Sequence, residues 1–239
     1  MINDLKRLIL IAAHRAKEGH IASALSILDI LYVLHNDVLG PNDQFVLSKG
    51  HGCLALYAIL GLDMTNFCNY DSLLGGHPDR LKVPGVIAST GSLGHGIGQA
   101  VGIALAKKIN GYKGRVFVLV GDGECEEGSV WESFNLIERY QLDNTTIVVD
   151  LNGSNDHYSG LKNLRDKLHS FGFLCFPVDG HDHSDLRIAL KYHRPDQPIA
   201  VLAKTVKGRG IARMEQDPGL WHHKSPNDQE LAEMLEELA

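Results

Sequence analysis

A nucleic-acid-binding face needs an excess of positive charge, and this chain has none. Its 23 Lys and Arg stand against 29 Asp and Glu, for a net charge of −6. No basic patch is visible, which argues against DNA or RNA as partners. Long apolar runs are also missing. The longest, such as Leu8 to Ala13 and Val116 to Val120, fall far short of the roughly 20 residues that span a bilayer, so no membrane association is expected. Cysteine is scarce. Cys53, Cys68, Cys125 and Cys175 lie scattered with no C-x-x-C spacing, which excludes a zinc ribbon or a disulfide framework and reads as reduced thiols of a cytoplasmic protein. The opening Met1-Ile2-Asn3-Asp4 has no signal-peptide architecture. Internal repeats, low-complexity tracts and linker-like segments are absent, so one domain over residues 1–239 is expected.

What is present is a 44% apolar chain, ample for a real core. Apolar positions at helical spacing predict helices over residues 4–17 and 23–34, the second apolar enough to be buried. Phe45 to Leu47 reads as a short strand, followed by a helix from Cys53 to about Gly61. Residues 75–96 are a loop rich in Gly, Pro and His, ahead of a small-residue helix from Ile97 to Ile109. From there strands and helices alternate: strands at 115–120, 145–151, 174–178 and 199–204, helices at 128–140, 162–172 and 184–193. A polar loop and a helix from about Asn227 complete the chain. Alternation of this kind predicts an α/β fold, a doubly wound, mainly parallel sheet with helices on both faces.

In such a sheet ligands bind beyond the carboxyl ends of the strands. Gly121-Asp122-Gly123 follows one strand, and Asn152-Gly153 follows the next, thirty residues later. The helix between them is a right-handed crossover, so the two strands are parallel and near each other. A carboxylate and an amide oxygen on one edge suit a hard cation such as magnesium, which keeps its other positions for phosphate oxygens. Gly123 allows close backbone approach, and a helix starting near Gly128 turns its amides toward the same place. The chemistry indicated is a metal-bridged diphosphate.

The same stretch resembles the signature of thiamine-diphosphate enzymes, GDG followed by about thirty residues and a terminal N, and its surroundings resemble transketolase in particular. Further segments carry the likeness along nearly the whole chain: EGHIASALSILDILYVL, FVLSKGHGCLALYAILGL, GGHPD, TGSLGHGIGQAVGIALA and AKTVKGRGIARMEQDPGLWHHKSPND. The resemblance implies thiamine diphosphate and Mg, or another divalent cation such as Ca, as cofactors. It implies that Asp122, Asn152 and the Ser154 carbonyl hold the metal. His51, Gly91, Leu93, Gly123 and His222 would contact the cofactor, together with the metal ligands. His20, His77 and His222 would serve the reaction, with Glu127 an acidic residue near a subunit interface.

The chain also departs from the family pattern. Ile21-Ala22 replaces the usual Pro-Gly after His20, His95 stands where many relatives have Gln, and His223 stands where Gly is frequent. The segment after Asn152 is shorter than usual and lacks a G-x-x-x-D-G turn. Full transketolases continue into a pyrimidine-binding domain that supplies the cofactor-activating Glu. The resemblance therefore implies the diphosphate-binding subunit of a split enzyme, working with a partner that carries the pyrimidine domain, in a dimer of heterodimers that uses sugar phosphates. Two other readings stay open: the corresponding part of a thiamine-dependent enzyme that consumes pyruvate, and a non-catalytic half that kept the fold. Glu124 and Glu126 read as solvated or helix-start charges. Tyr32, Tyr57, Trp131 and Phe134 read as core or interface, and His181-Asp182-His183 as structural rather than a metal pair.

Overall fold

The computed structural model describes residues 1–154 and 163–239. Five strands form the sheet: β1 (Gln44–Leu47), β2 (Val116–Gly121), β3 (Thr145–Leu151), β4 (Leu174–Asp179) and β5 (Ile199–Lys204). Their spatial order is β1-β2-β3-β5-β4, and every pairing is parallel. The helices are α1 (Ile2–Ala16), α2 (Ile21–Val33), α3 (Cys53–Ile59), α4 (His95–Ile109), α5 (Gly128–Arg139), α6 (Leu164–Ser170), α7 (His183–Lys191), α8 (Ala212–Gln216) and α9 (Asp228–Glu237).

The strands are apolar on both faces because helices cover both. Phe117, Leu119, Val148 and Val201 point into a core shared with α1, α2, α3 and α7. The intervening Val118, Val120, Ile147 and Val149 point into a second core beneath α4, α5 and α6. This is the alternation a two-faced sheet imposes on a continuous apolar run.

Helix boundaries shift by a few residues from the sequence expectation. The helix expected over 162–172 runs from Leu164 to Ser170, and its expected first residue lies outside the described residues. The final helix is capped as its sequence suggests: the Asn227 side chain accepts from Glu230 N, and Glu230 reaches back to Asn227 N. Two elements carried too little pattern to be foreseen. A π-helical turn, Leu34–Val38, continues α2. The short α8 buries only Met214. Together α2 and the π turn make 18 residues of mean hydropathy 1.3, enough by length and composition to cross a membrane, but 72% of that stretch is buried inside the protein. Core packing accounts for its apolarity.

Between α5 and the sheet, the Phe134 ring is fully buried and meets Trp131, Phe171 and Phe173 at centroid distances of 5.5, 6.1 and 5.7 Å. Phe134→Ala is expected to destabilise the fold by about 3–5 kcal/mol, read as a lowered urea midpoint. An unchanged midpoint would contradict this packing.

Candidate active site at the carboxyl edge of the sheet

Four strands deliver polar residues to one edge. The segment after β1 carries Ser48, Lys49 and His51; after β2 comes Asp122; after β3, Asn152 and Ser154; after β5, Thr205 and Lys207. Parallel register puts these ends side by side: Gly121 pairs with Asp150, Asp122 N donates to Asp150 O at 3.1 Å, and Thr205 N donates to Leu151 O at 3.1 Å. His20, at the start of α2, and His222, in the turn Leu220–His222, close the edge from the side. The loop ahead of α4 adds His77, Gly91 and Leu93. The result is a cavity of about 270 Å³.

Every candidate site residue drawn from the resemblance lines this cavity except Glu127: His20, His51, His77, Gly91, Leu93, Asp122, Gly123, Asn152, Ser154 and His222. Glu127 is exposed and precedes the first residue of α5. His20 adopts a left-handed backbone, φ 61°, which is uncommon for a residue with a Cβ. Its amide donates to His222 O at 3.0 Å, so the two histidines hold each other. His77 is placed indirectly: the buried Tyr57 hydroxyl donates to the carbonyls of Gly75 and His77 at 3.1 and 3.0 Å.

The floor of the cavity is ionic. Lys49 is 1% exposed, and its Nζ donates to Asp150 Oδ2 at 2.5 Å. Asp150, fully buried, also accepts from Ser26 Oγ at 2.9 Å, Asn152 Nδ2 at 2.7 Å and Thr205 Oγ1. Against the cost of burial, the Lys49 ammonium and these donors keep the Asp150 carboxyl below the usual carboxylate range. Among the described residues Asp122 has no ammonium in contact with it; its Oδ1 accepts from Gly123 N at 2.7 Å. Burial, and then the neighbouring Asp150 charge, push its carboxyl upward. Lys207 reaches Ser154 Oγ at 3.1 Å and His222 Nδ1 at 2.8 Å; burial, with Lys49 adding to it, lowers its pKa. Burial first, and nearby positive charge second, holds His51 down to about 2 and His222 to about 4. His20 falls to about 4, through burial and then its histidine neighbours. These three imidazoles are neutral at neutral pH and can donate or accept hydrogen bonds without adding charge.

The donor set fits a magnesium diphosphate. Asp122 is a buried carboxylate whose raised pKa a cation would relieve. Asn152 and Ser154 add oxygens beside it, and among the described residues nothing lies within 4 Å of where a Gly123 Cβ would stand, which leaves room over the turn. Lys49, Lys207, His51 and His222 surround that space with N–H donors suited to phosphate oxygens. The ring nitrogens of His20, His222 and His223 also fall within 4.8 Å of one another. With the Lys207 amine against His222 and Lys49 nearby, that set suits anions and hydroxyls better than a second cation.

Comparison with known proteins shows the family. Residues 1–238 match the family described as transketolase, thiamine diphosphate binding domain. The chain belongs to the transketolase family. It is 32% identical to one of the named subunits of apulose-4-phosphate transketolase from Phocaeicola vulgatus, over 98% of this chain and 90% of that protein. With the subunit of the same name from Actinobacillus succinogenes it is 36% identical, over 98% and 92%. Among solved structures it superposes on transketolase from Leishmania mexicana with a TM-score of 0.88 at 26% identity. That match covers 99% of this chain but only 40% of the Leishmania enzyme.

Several residues that build this transketolase-family site were not singled out in the sequence. Lys49 and Lys207 sit inside the stretches SKGHG and AKTVKGRGIARMEQDPGLWHH, where His51 and His222 carry the resemblance. Asp150 was detectable as the lone carboxylate of a buried strand, TTIVVDL. Glu124 corrects an expectation. Read as a solvated or helix-start charge, it does stand in the first turn of the 3-10 helix Gly123–Glu126, but it is 2% exposed and accepts from Ser48 Oγ at 2.5 Å, Gly94 N at 2.9 Å and Gly121 N at 3.2 Å. It ties three loops of the site together, and burial raises its pKa. Sequence neighbours alone did not reveal the Ser48 and Gly94 donors, which come from segments far away in the chain.

Lys49→Met is expected to destabilise the protein by about 3–5 kcal/mol, because it strands a buried carboxylate. Adding Asp150→Asn should recover part of that loss in a urea titration, and no recovery would argue against direct pairing. Acid also weakens the fold. His20, His51 and His222 bind protons in the unfolded chain near pH 6.5 but only near 4 or below when folded. The unfolded state therefore binds more protons in that window, and stability falls as pH drops through it. Urea midpoints should decline from neutral pH to about pH 5, and decline less for His51→Gln.

Proposed function

We propose that this chain is the diphosphate-binding subunit of a heteromeric, thiamine-diphosphate-dependent transketolase-like enzyme that moves a two-carbon ketol unit between sugar phosphates. The observation that carries the reading is the convergence of Asp122, Asn152, Ser154, Lys49, Lys207, His51 and His222 on one cavity at the carboxyl edge of the sheet. Relatives that are themselves named as single subunits of a transketolase match along 90% or more of their length, which supports a two-subunit arrangement. The partner would carry the pyrimidine site, in a dimer of heterodimers. Exposed Tyr70, Leu73 and Leu81 lie in the segment around His77 and offer apolar surface for such a partner. Four free thiols, three of them buried, accord with a cytoplasmic location.

Each residue has a task in this reading. Asp122, Asn152 and the Ser154 carbonyl would hold magnesium, and Lys49 and Lys207 would supply positive charge for the diphosphate. Thiamine diphosphate, once bound, supplies stabilisation of an acyl carbanion. Neutral His20 and His222 can donate to a developing alkoxide and exchange protons with substrate hydroxyls. His77 faces the same opening from the loop that Tyr57 anchors. Glu127 belongs to the contact with a neighbouring subunit.

Asp122→Ala should abolish magnesium-dependent binding of thiamine diphosphate, measured by fluorescence quenching in the assembled enzyme. Retained affinity would remove Asp122 from the metal site. The purified chain alone should show no ketol transfer, and the complex with its partner should use hydroxypyruvate or ketose phosphates. Preference for pyruvate would redirect the assignment to another thiamine-dependent reaction.

A further inference from the structure

The turn after β4 and the segment after β5 leave the sheet side by side. Asp179 and Lys204 are the last register pair of those strands, and Gly180 N donates to Lys204 O at 2.8 Å. A Cβ on Gly180 would stand 2.4 Å from Thr205 Cγ2, so only glycine permits this approach. His181 follows. Its ring is 8% exposed and makes two hydrogen bonds. Nε2 accepts from the backbone amide of Val206 at 2.8 Å. Nδ1 lies 2.8 Å from Asp29 Oδ2. An amide hydrogen at Nε2 requires a lone pair there, which puts the ring hydrogen on Nδ1, where Asp29 accepts it. The bond to His181 contributes to keeping the buried Asp29 carboxyl ionised.

Both ends of this relay lead to the cavity. Val206 lies between Thr205, whose hydroxyl bonds Asp150, and Lys207, whose amine reaches Ser154 and His222. Asp29 is on α2, whose first turn follows His20, and Gly208 N bonds Ala22 O on the same helix at 2.9 Å. His183 supplies the contrast. Its Nε2 also bonds Asp29, at 2.8 Å, and its ring stacks on Tyr32 at 5.3 Å, so it is tied to α2 rather than to the 205–208 segment.

We propose that His181 is a positioning residue: with its tautomer set by Asp29, it accepts the Val206 amide and thereby fixes the segment that holds Lys207 in the diphosphate cavity. The inference deepens the cofactor reading above and rests on it for the role of Lys207. The arrangement of His181 itself stands independently of that role. His181→Phe keeps the ring shape and removes both bonds. His181→Gln keeps an acceptor and a donor about as far apart as the two ring nitrogens, so its amide can serve Val206 and Asp29 together.

The test uses the full chain, magnesium and inorganic pyrophosphate, with hydrogen exchange of the amides from Val206 to Gly208 as a second readout. In His181→Phe, exchange at these amides should accelerate and pyrophosphate affinity should fall about tenfold, as expected when one charged hydrogen bond is misplaced. His181→Gln should restore both to near the wild-type values. His183→Phe loses a bond to the same Asp29, so its global stability should drop while exchange and affinity stay unchanged. Wild-type exchange in His181→Phe overturns the proposal, and so does equal loosening in the His181 and His183 variants, which would make the cluster merely structural. If the wild-type chain fails to bind magnesium pyrophosphate, the cofactor reading fails, and the exchange data still decide the role of His181.

Discussion

At the centre of the carboxyl edge lies a pair of charges taken out of water: the Lys49 ammonium against the Asp150 carboxylate. Neither would be tolerated there alone, because an isolated ion in a low-dielectric interior costs several kcal/mol. Together they oblige their neighbours to be polar and correctly aimed. Ser26 comes from α2, Thr205 from beyond β5 and Asn152 from beyond β3, each giving a hydrogen to Asp150. The ends of β1, β3 and β5 and the helix above them are thus fastened at one point. The positions of Asn152 and Lys207 in the cavity follow from that fastening.

A second balance is laid over the first. Asp122 is buried with its charge only partly answered, and the two lysines oppose the space beside it. One region therefore favours a cation and the adjoining region favours an anion, which is the electrostatic outline of a metal diphosphate. The histidines stay neutral because burial and the lysines both oppose a further proton. They add directed hydrogen bonds without disturbing that outline. Glu124 does the corresponding work from below, joining the segments of Ser48, Gly94 and Gly121.

Much of this was legible in the residues. Strand and helix alternation led to a parallel sheet covered on both faces, and the spaced Asp122 and Asn152 led to its carboxyl edge. Their pattern is local, and local pattern is what periodicity and turn chemistry report. The π turn after α2 and the short α8 were not legible, since neither presents enough apolar spacing to rise above its surroundings. The burial of Glu124 was missed for a different reason. It depends on donors from the distant Ser48 and Gly94 segments, and a charge flanked by other charges looks solvated until those segments meet. His181 and His183 were read as structural, and their rings do hold Asp29, but the bond from Val206 to His181 has no signature in either stretch.

By itself, the sequence determined the layer architecture, the edge at which chemistry is concentrated and the residue types that suit a metal diphosphate. Hydrophobic period and strand-end glycines encode these within a few residues of one another. Tertiary structure alone decided which charges are paired and which are left unanswered. Lys49 meets Asp150 across a long stretch of chain, Glu124 meets Gly94, and His181 meets Val206. Burial and partnership depend on distance in space, and only the folded arrangement of the sheet brings those groups within hydrogen-bonding reach.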